Sequence, residues 1–202
     1  MDAKIPILLI VLCLQAASGQ LSASPPLEAR EDPEGILVSE NGSPVLFYQR
    51  SPKSKDGEYQ RANYIHPLYN LEGQVITEDF PADHLHQRGV FWTWHQILAG
   101  ERRLGDGWEC RDIQWDVLEA EAVETCGGAM LLKTRVHWKS PNWTGADGNM
   151  IPFVEEKAAI TIYPAELQSR SIEFEISLRA LAEGLRLGGS EDAKGYGGFS
   201  LR

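Results

Sequence analysis

Positive charge is scarce in this sequence. Lys and Arg total 19 against 29 Asp and Glu, a formal charge of −10 over 202 residues. So acidic a chain lacks the basic surface that non-specific nucleic-acid binding needs, and charge alone would keep it off an anionic membrane. The longest apolar run, Ile5–Leu14, has ten residues, too few to cross a bilayer. No window carries a 3.6-residue hydrophobic period with caps, so a helical bundle is excluded. Internal repeats and low-complexity tracts are absent. There is no G-x-S-x-G elbow and no C-x-x-C pair, so those nucleophilic and redox schemes have no support. Gly105-Asp106-Gly107 and Gly195-Tyr196-Gly197-Gly198 are turn formers without the strand–glycine–helix setting of a phosphate loop.

What is present points to strands. Hydrophobic residues make up 43% and charged residues 24%, enough for one domain with a full core. Ile172, Phe174, Ile176 and Leu178 alternate with Glu173, Glu175, Ser177 and Arg179, the signature of a half-buried strand. Residues 158–163 alternate in the same way. Asn41-Gly42 between 36–38 and 45–48 is a strong hairpin signal. Gly127-Gly128 between 113–125 and 130–138 predicts a second hairpin, and Asn70–Gly73 between 64–69 and 74–77 a third. Residues 90–98 read as one strand with Val90, Trp92, Trp94 and Gln96 on one face. The expected fold is all-β, an antiparallel sandwich or barrel.

The N-terminus resembles a secretion signal. Lys4, the run Ile5–Leu14 and Ala17-Ser18-Gly19 predict cleavage after Gly19. Residues 20–34 are rich in Pro, Ser and charge and predict a disordered linker, leaving 35–202 as one β-sandwich domain. Gly197-Gly-Phe-Ser-Leu-Arg202 reads as the start of a strand, so the domain is expected to be cut short at its C-terminus. Cys110 and Cys126 remain after cleavage. Two cysteines in an exported chain allow one disulfide, while strand 113–124 between them would hold them apart as two buried thiols. Their spacing fits no zinc motif.

Polar chemistry concentrates in residues 78–89, Glu-Asp-Phe-Pro-Ala-Asp-His-Leu-His-Gln-Arg-Gly. In an extended segment His84, His86 and Arg88 share one side. Two imidazoles so spaced can share a divalent metal ion, with Asp79 or Asp83 completing the shell. They can equally serve as general acid and base on a sugar, since imidazole titrates near neutral pH. Arg88 would then hold a carboxylate or hydroxyl pair with its planar fork. Trp92 and Trp94 could stack on a sugar face, with His95 beside them. Glu155 and Glu156 precede a strand, and either could supply a site carboxylate. Asn41-Gly-Ser43 and Asn142-Trp-Thr144 fit the glycosylation pattern, which matters only in a eukaryotic secretory pathway.

Three segments carry a family resemblance: Tyr64-Ile-His-Pro-Leu-Tyr69, Asp79–Gly89 with Val90-Phe-Trp92, and Gly189–Phe199. They resemble secreted bacterial proteins catalogued as the "methane oxygenase PmoA" family, over roughly residues 35–202. Leu85 and Gln87 stand where that family's Asp-His-Pro-His-His-Arg-Gly motif has Pro and His. The label is a misnomer for such a chain, because a particulate methane monooxygenase subunit is an integral membrane protein. The strand pattern is similar to mutarotase-like supersandwiches, an analogy of fold. The resemblance brings Lys194 and Tyr196 into the site as substrate-binding residues.

These readings imply an exported, periplasmic or secreted, carbohydrate-active protein of the epimerase or lyase/hydrolase kind. His84 and His86 would move protons, Asp83 and Arg88 would anchor, and Trp92, Trp94, His95, Lys194 and Tyr196 would bind a carbohydrate or other small polar ligand. The alternatives are a non-catalytic glycan-binding module, and a metal-dependent oxygenase with His84, His86 and Asp79 as ligands.

Overall fold

A computed structural model describes residues 27–202. The expected signal segment and the first part of the expected linker lie outside the described residues. The ordered domain begins earlier than composition suggested, inside that linker, with β1 (Leu27–Glu31). Leu27 is buried, and all of β1 pairs with β2 (Gly35–Glu40). Backbone pairing and one buried leucine outweigh the linker-like composition.

The chain continues through β3 (Ser43–Gln49), β4 (Lys53–Lys55), β5 (Glu58–Arg61) and β6 (Tyr64–Leu68). Next come β7 (Val90–Trp94), β8 (Gln96–Ala99), β9 (Arg102–Gly105) and β10 (Gln114–Glu124). The remaining strands are β11 (Met130–Lys139), β12 (Val154–Ile162), β13 (Ile172–Ala180), β14 (Leu185–Gly188) and β15 (Gly197–Leu201). There is no helix among the described residues. A six-stranded sheet runs β1-β2-β3-β6-β7-β15 and a four-stranded sheet β10-β11-β12-β13. Smaller sheets are β14-β8-β9 and β4-β5. All pairings are antiparallel.

The two large sheets face each other across one core, as a sandwich. Side chains alternate across a strand, so Met130, Leu132, Val136 and Trp138 of β11 point inward. Ile160, Ile162, Val154 and Ala158 of β12 join them, and Ile36, Val38, Leu46, Tyr48, Ile65, Val90 and Trp92 close the core from the six-stranded sheet. Fully burying each larger aliphatic side chain contributes roughly 1.5–3 kcal/mol. The outer face of the six-stranded sheet is also covered, by loops. There Tyr64 and Phe91 meet Trp108 in a second, smaller apolar cluster.

The Asn41-Gly42 turn has φ of 52° and 74°, the two left-handed residues a type I′ hairpin needs. The third hairpin forms as a turn, but its return limb makes only an isolated bridge, Tyr69 to Val75. Residues 90–98 do not form one strand. The chain breaks at His95, so β7 stays in the six-stranded sheet and β8 joins β9 and β14. The loop after β9 is sewn to that break: the N–H groups of Gly107 and Trp108 donate to the Trp94 carbonyl at 3.0 and 3.3 Å. Cys110 and Cys126 lie beyond opposite ends of β10 as free thiols, Cys126 exposed rather than buried.

Gly107 shows how tightly that loop is seated. A Cβ there would stand 2.1 Å from Thr93 Oγ1 and 3.2 Å from the Trp94 carbonyl oxygen. Gly107→Ala is therefore expected to lift the loop, lower stability by about 1–2 kcal/mol, and shift the fluorescence of Trp108. Urea denaturation with tryptophan emission measures both.

Candidate active site on the outer face of the six-stranded sheet

Residues 79–89 are not extended. Phe80 has φ of 56°, His84 N–H bonds the Pro81 carbonyl, and Gln87 N–H bonds the His84 carbonyl. Two successive turns cancel the alternation that would have put His84, His86 and Arg88 on one side. His84 is about half exposed, His86 is largely buried, and Arg88 is fully buried.

Arg88 therefore anchors the fold and does not face a ligand. Its Nε donates to Asp79 Oδ1, its Nη1 to the carbonyls of Lys53 at 3.2 Å and Tyr59 at 2.8 Å, and its Nη2 to Tyr64 Oη at 2.6 Å. The guanidinium lies 3.6 Å from the centroid of the Phe80 ring. Asp79 is consumed in the same way, since Lys53 Nζ also reaches its Oδ2 at 2.7 Å. The expectation of Asp79 beside His84 and His86 as metal ligands does not hold in this geometry. Among the described residues no group of three or more His, Cys, Asp or Glu is arranged to hold a metal ion.

Trp92 is also not a stacking platform. It is buried in the core, edge-on to Phe174 and parallel to Phe199 at 6.3 Å. Trp94 packs against Trp138 at 6.2 Å. Asp83 stays on the rim, where its carboxylate meets His84 Nδ1 at 3.0 Å and Arg202 Nη2 at 2.6 Å.

Five of the expected residues do come together, with three the sequence did not single out as site residues. His84 and His86 meet edge to face at 5.7 Å between ring centroids. His86 Nδ1 lies 3.5 Å from Glu109 Oε2. At the break after β7, His95 Nδ1 sits 3.0 Å from Asp106 Oδ2, and Asp106 Oδ1 accepts the Glu109 N–H at 3.0 Å. The His95 ring stacks on Trp108 at 5.4 Å, and Trp108 stacks on Tyr196 at 5.8 Å. Lys194 Nζ lies 5.5 Å from the Tyr196 ring centroid. Loop 189–197 presents these two residues because its own polar groups close it. Ser190 N–H bonds the Tyr196 carbonyl, Tyr196 N–H bonds Ser190 Oγ, and Asp192 Oδ1 accepts the Lys194 and Gly195 N–H groups.

The electrostatics divide the imidazoles. Burial lowers the pKa of His86; Glu109 opposes that, while the charges of His84, His95 and Arg61 lower it further. His86 is thus a neutral imidazole near pH 7, able to accept a proton. Its Nε2 is buried and has no hydrogen-bond partner. Asp106 sits at the Nδ1 side of His95, which in the neutral imidazole favours the Nδ1–H tautomer with the lone pair on Nε2. A carboxylate-oriented imidazole and a second, neutral imidazole are groups able to move protons, and the aromatic stack beside them is an apolar, flat surface.

Asp106 and Glu109 were hidden because they lie 11 and 23 residues along the chain from their imidazoles. The only signal was the glycine pair flanking Asp106, which marks a tight, closely packed turn.

Residues 36–202 match a family described as "Family of unknown function (DUF6807)". No curated protein and no solved structure matches the chain.

Proposed function

The chain belongs to the family of unknown function DUF6807, and from that premise we propose an exported carbohydrate-active protein that performs proton transfer on a bound sugar. The observation that carries this reading is the continuous stack Tyr196–Trp108–His95 with Asp106 behind the imidazole. Tyr196 is 48% exposed and offers a flat face to the apolar side of a sugar ring. Trp108 separates Tyr196 from His95 in that stack, so the ligand spans the edge of the stack from Tyr196 to His95, where Nε2 of His95 takes a sugar C–H proton and returns one, with the neutral His86 as a second proton acceptor. Such chemistry is of the epimerase or lyase kind. The resemblance to the PmoA-labelled family and to mutarotase-like sandwiches belongs to this proposal, through the Asp-His-x-His-x-Arg-Gly segment. So does export, which residues 1–19 suggest and N-terminal sequencing of the protein recovered outside the cytoplasm would test.

Exchange of sugar C–H protons for deuterium, followed by proton NMR in D2O over a panel of sugars and oligosaccharides, tests the chemistry. For a sugar that binds, His95→Gln and His86→Gln are expected to slow exchange by about 10²–10⁴-fold. Asp106→Asn should slow it with little change in binding, and Tyr196→Ala should weaken binding first. Sugar binding without any exchange, untouched by His95→Gln, would replace catalysis with a non-catalytic glycan-binding role. No binding across the panel by folded protein would overturn the reading.

A further inference from the structure

Two arginines are buried in this fold, and only one is neutralised. Arg88 has Asp79 against it. Arg61 is 1% exposed and makes no ion pair with any carboxylate among the described residues. It donates through Nη2 to the Gly107 carbonyl and lies between two aromatic faces, 4.8 Å from the centroid of Phe91 and 4.1 Å from that of Trp115. Its Nε–H has no partner. A guanidinium does not lose its proton in a protein, and a buried charge without a counter-charge is destabilising. Burial is the largest influence on the Arg61 guanidinium; Cys110 and Tyr64 favour its charge and Arg88 opposes it, and none of the three is a carboxylate. The buried carboxyl of Glu156 feels Arg61 only as the weakest of its main influences.

Arg61 is buried in the wall of a cleft. It lines a cleft of about 460 Å³ together with Gln60, Gln114, Trp115, Asp116 and Lys139. Asp116 and Lys139 neutralise each other there at 2.6 Å. An adjoining polar cleft shares Gln60, Ile113 and Gln114 and carries Glu109 and Cys110, the residues that contact His86 through its imidazole and its carbonyl. The uncompensated charge thus adjoins the proton-transfer groups.

We propose that the ligand carries an oxyanion, a carboxylate or a phosphate on a sugar, and that Arg61 is the residue that recognises it. The preference rests on the sugar reading above; the anion site itself does not. A planar guanidinium with a free N–H matches an oxyanion in charge and geometry, and the two aromatic faces hold that plane fixed in advance.

Nitrogen-15 labelling of arginine makes the test direct in the wild-type protein, with Arg88 as an internal control. The probes are uronic acids, sugar phosphates and the parent neutral sugars of the gluco, galacto and manno series, with acetate and inorganic phosphate alone. An anionic sugar is expected to shift the Arg61 Nε–H resonance and leave Arg88 unmoved. By calorimetry it should bind at least ten-fold more tightly than its neutral parent, falling to parity in Arg61→Met. Whichever of uronate or sugar phosphate shifts the resonance identifies the anion. Acetate or phosphate binding as tightly as any sugar acid, with the same shift, would keep the anion site and remove the sugar. Equal binding of neutral and anionic sugars, or an Arg61 resonance that no anion moves, overturns the proposal while leaving the sugar reading in place.

Discussion

Arg88→Ala is expected to lower the folding free energy by about 3 kcal/mol, because it takes the main partner from a buried carboxylate and leaves it only a half-exposed lysine and one hydroxyl. The loss is large beside the 5–15 kcal/mol that holds a typical domain. Removing the guanidinium leaves Asp79 with Lys53 and with the Tyr64 hydroxyl, which donates to its Oδ2 at 3.3 Å, and takes away the hydrogen bonds that Arg88 gives to that hydroxyl and to two backbone carbonyls. It also unpins the two turns that carry His84 and His86. Arg88→Lys should recover little, since an ammonium cannot span four acceptors with a fixed fork. The pH dependence has a definite sign. Burial raises the Asp79 pKa, but hydrogen bonds from Arg88 and Lys53 outweigh it and the net shift is downward. A carboxyl whose folded pKa lies below its unfolded value near 3.9 stabilises the fold above that value. The contribution is lost as pH falls through the folded pKa. In Arg88→Ala burial acts without its main opponent, so the acid limb of the stability curve should move to higher pH. Denaturant titrations between pH 3 and 7 on both proteins measure the cost and the displacement together. A loss under 1 kcal/mol at pH 7 would show that Arg88 is not an anchor.

The same residue marks where sequence reading stopped. The strands were legible because a period of two is local. The alternation of Ile172, Phe174, Ile176 and Leu178 is β13, and the glycine turns at 42 and 127–128 join β2 to β3 and β10 to β11. The period misled at 84–88, where backbone turns replaced the strand that the alternation assumes. It misled again at His95, where pairing with two different sheets breaks an apparently continuous strand. Trp92 faces the core because β7 is covered on both sides, a fact of topology and not of composition. The partnerships His95–Asp106 and His86–Glu109 depend on a loop folding back onto the end of β7. Arg61 gave no signal at all, since an arginine at the end of a short charged strand reads as solvated.

Glu156 is the second group whose role depends on burial, and its removal should show most clearly in how stability varies with pH. It lies on the inner face of β12, opposite Val136 of β11, with no exposure to solvent. Asn63 Nδ2 donates to its Oε1 at 2.8 Å and Trp138 Nε1 to its Oε2 at 2.8 Å. The Tyr48 hydroxyl donates to Asn63 Oδ1 at 2.9 Å, so one carboxyl ties β3, β11 and β12 together through the core. Burial raises its pKa, and the hydrogen bonds from Asn63 and Trp138 only partly offset this. A carboxyl with a raised folded pKa stabilises the fold below its unfolded value near 4.3. That contribution is lost as pH rises through the folded value. Glu156→Leu leaves the Asn63 amide and the Trp138 indole without acceptors inside the core, and each buried donor so stranded costs about 1–3 kcal/mol. The regained apolar packing offsets part of that, for a net loss of about 2–4 kcal/mol at pH 5. Because the wild type gives up the Glu156 contribution as pH rises and the leucine variant has none to give up, the gap should narrow toward pH 9. Glu156→Gln should narrow it likewise, while losing one hydrogen bond because its amide N–H₂ must face a donor. A gap that stays constant or widens with pH would mean the carboxyl is ionised throughout, held by its donors and by the distant charge of Arg61.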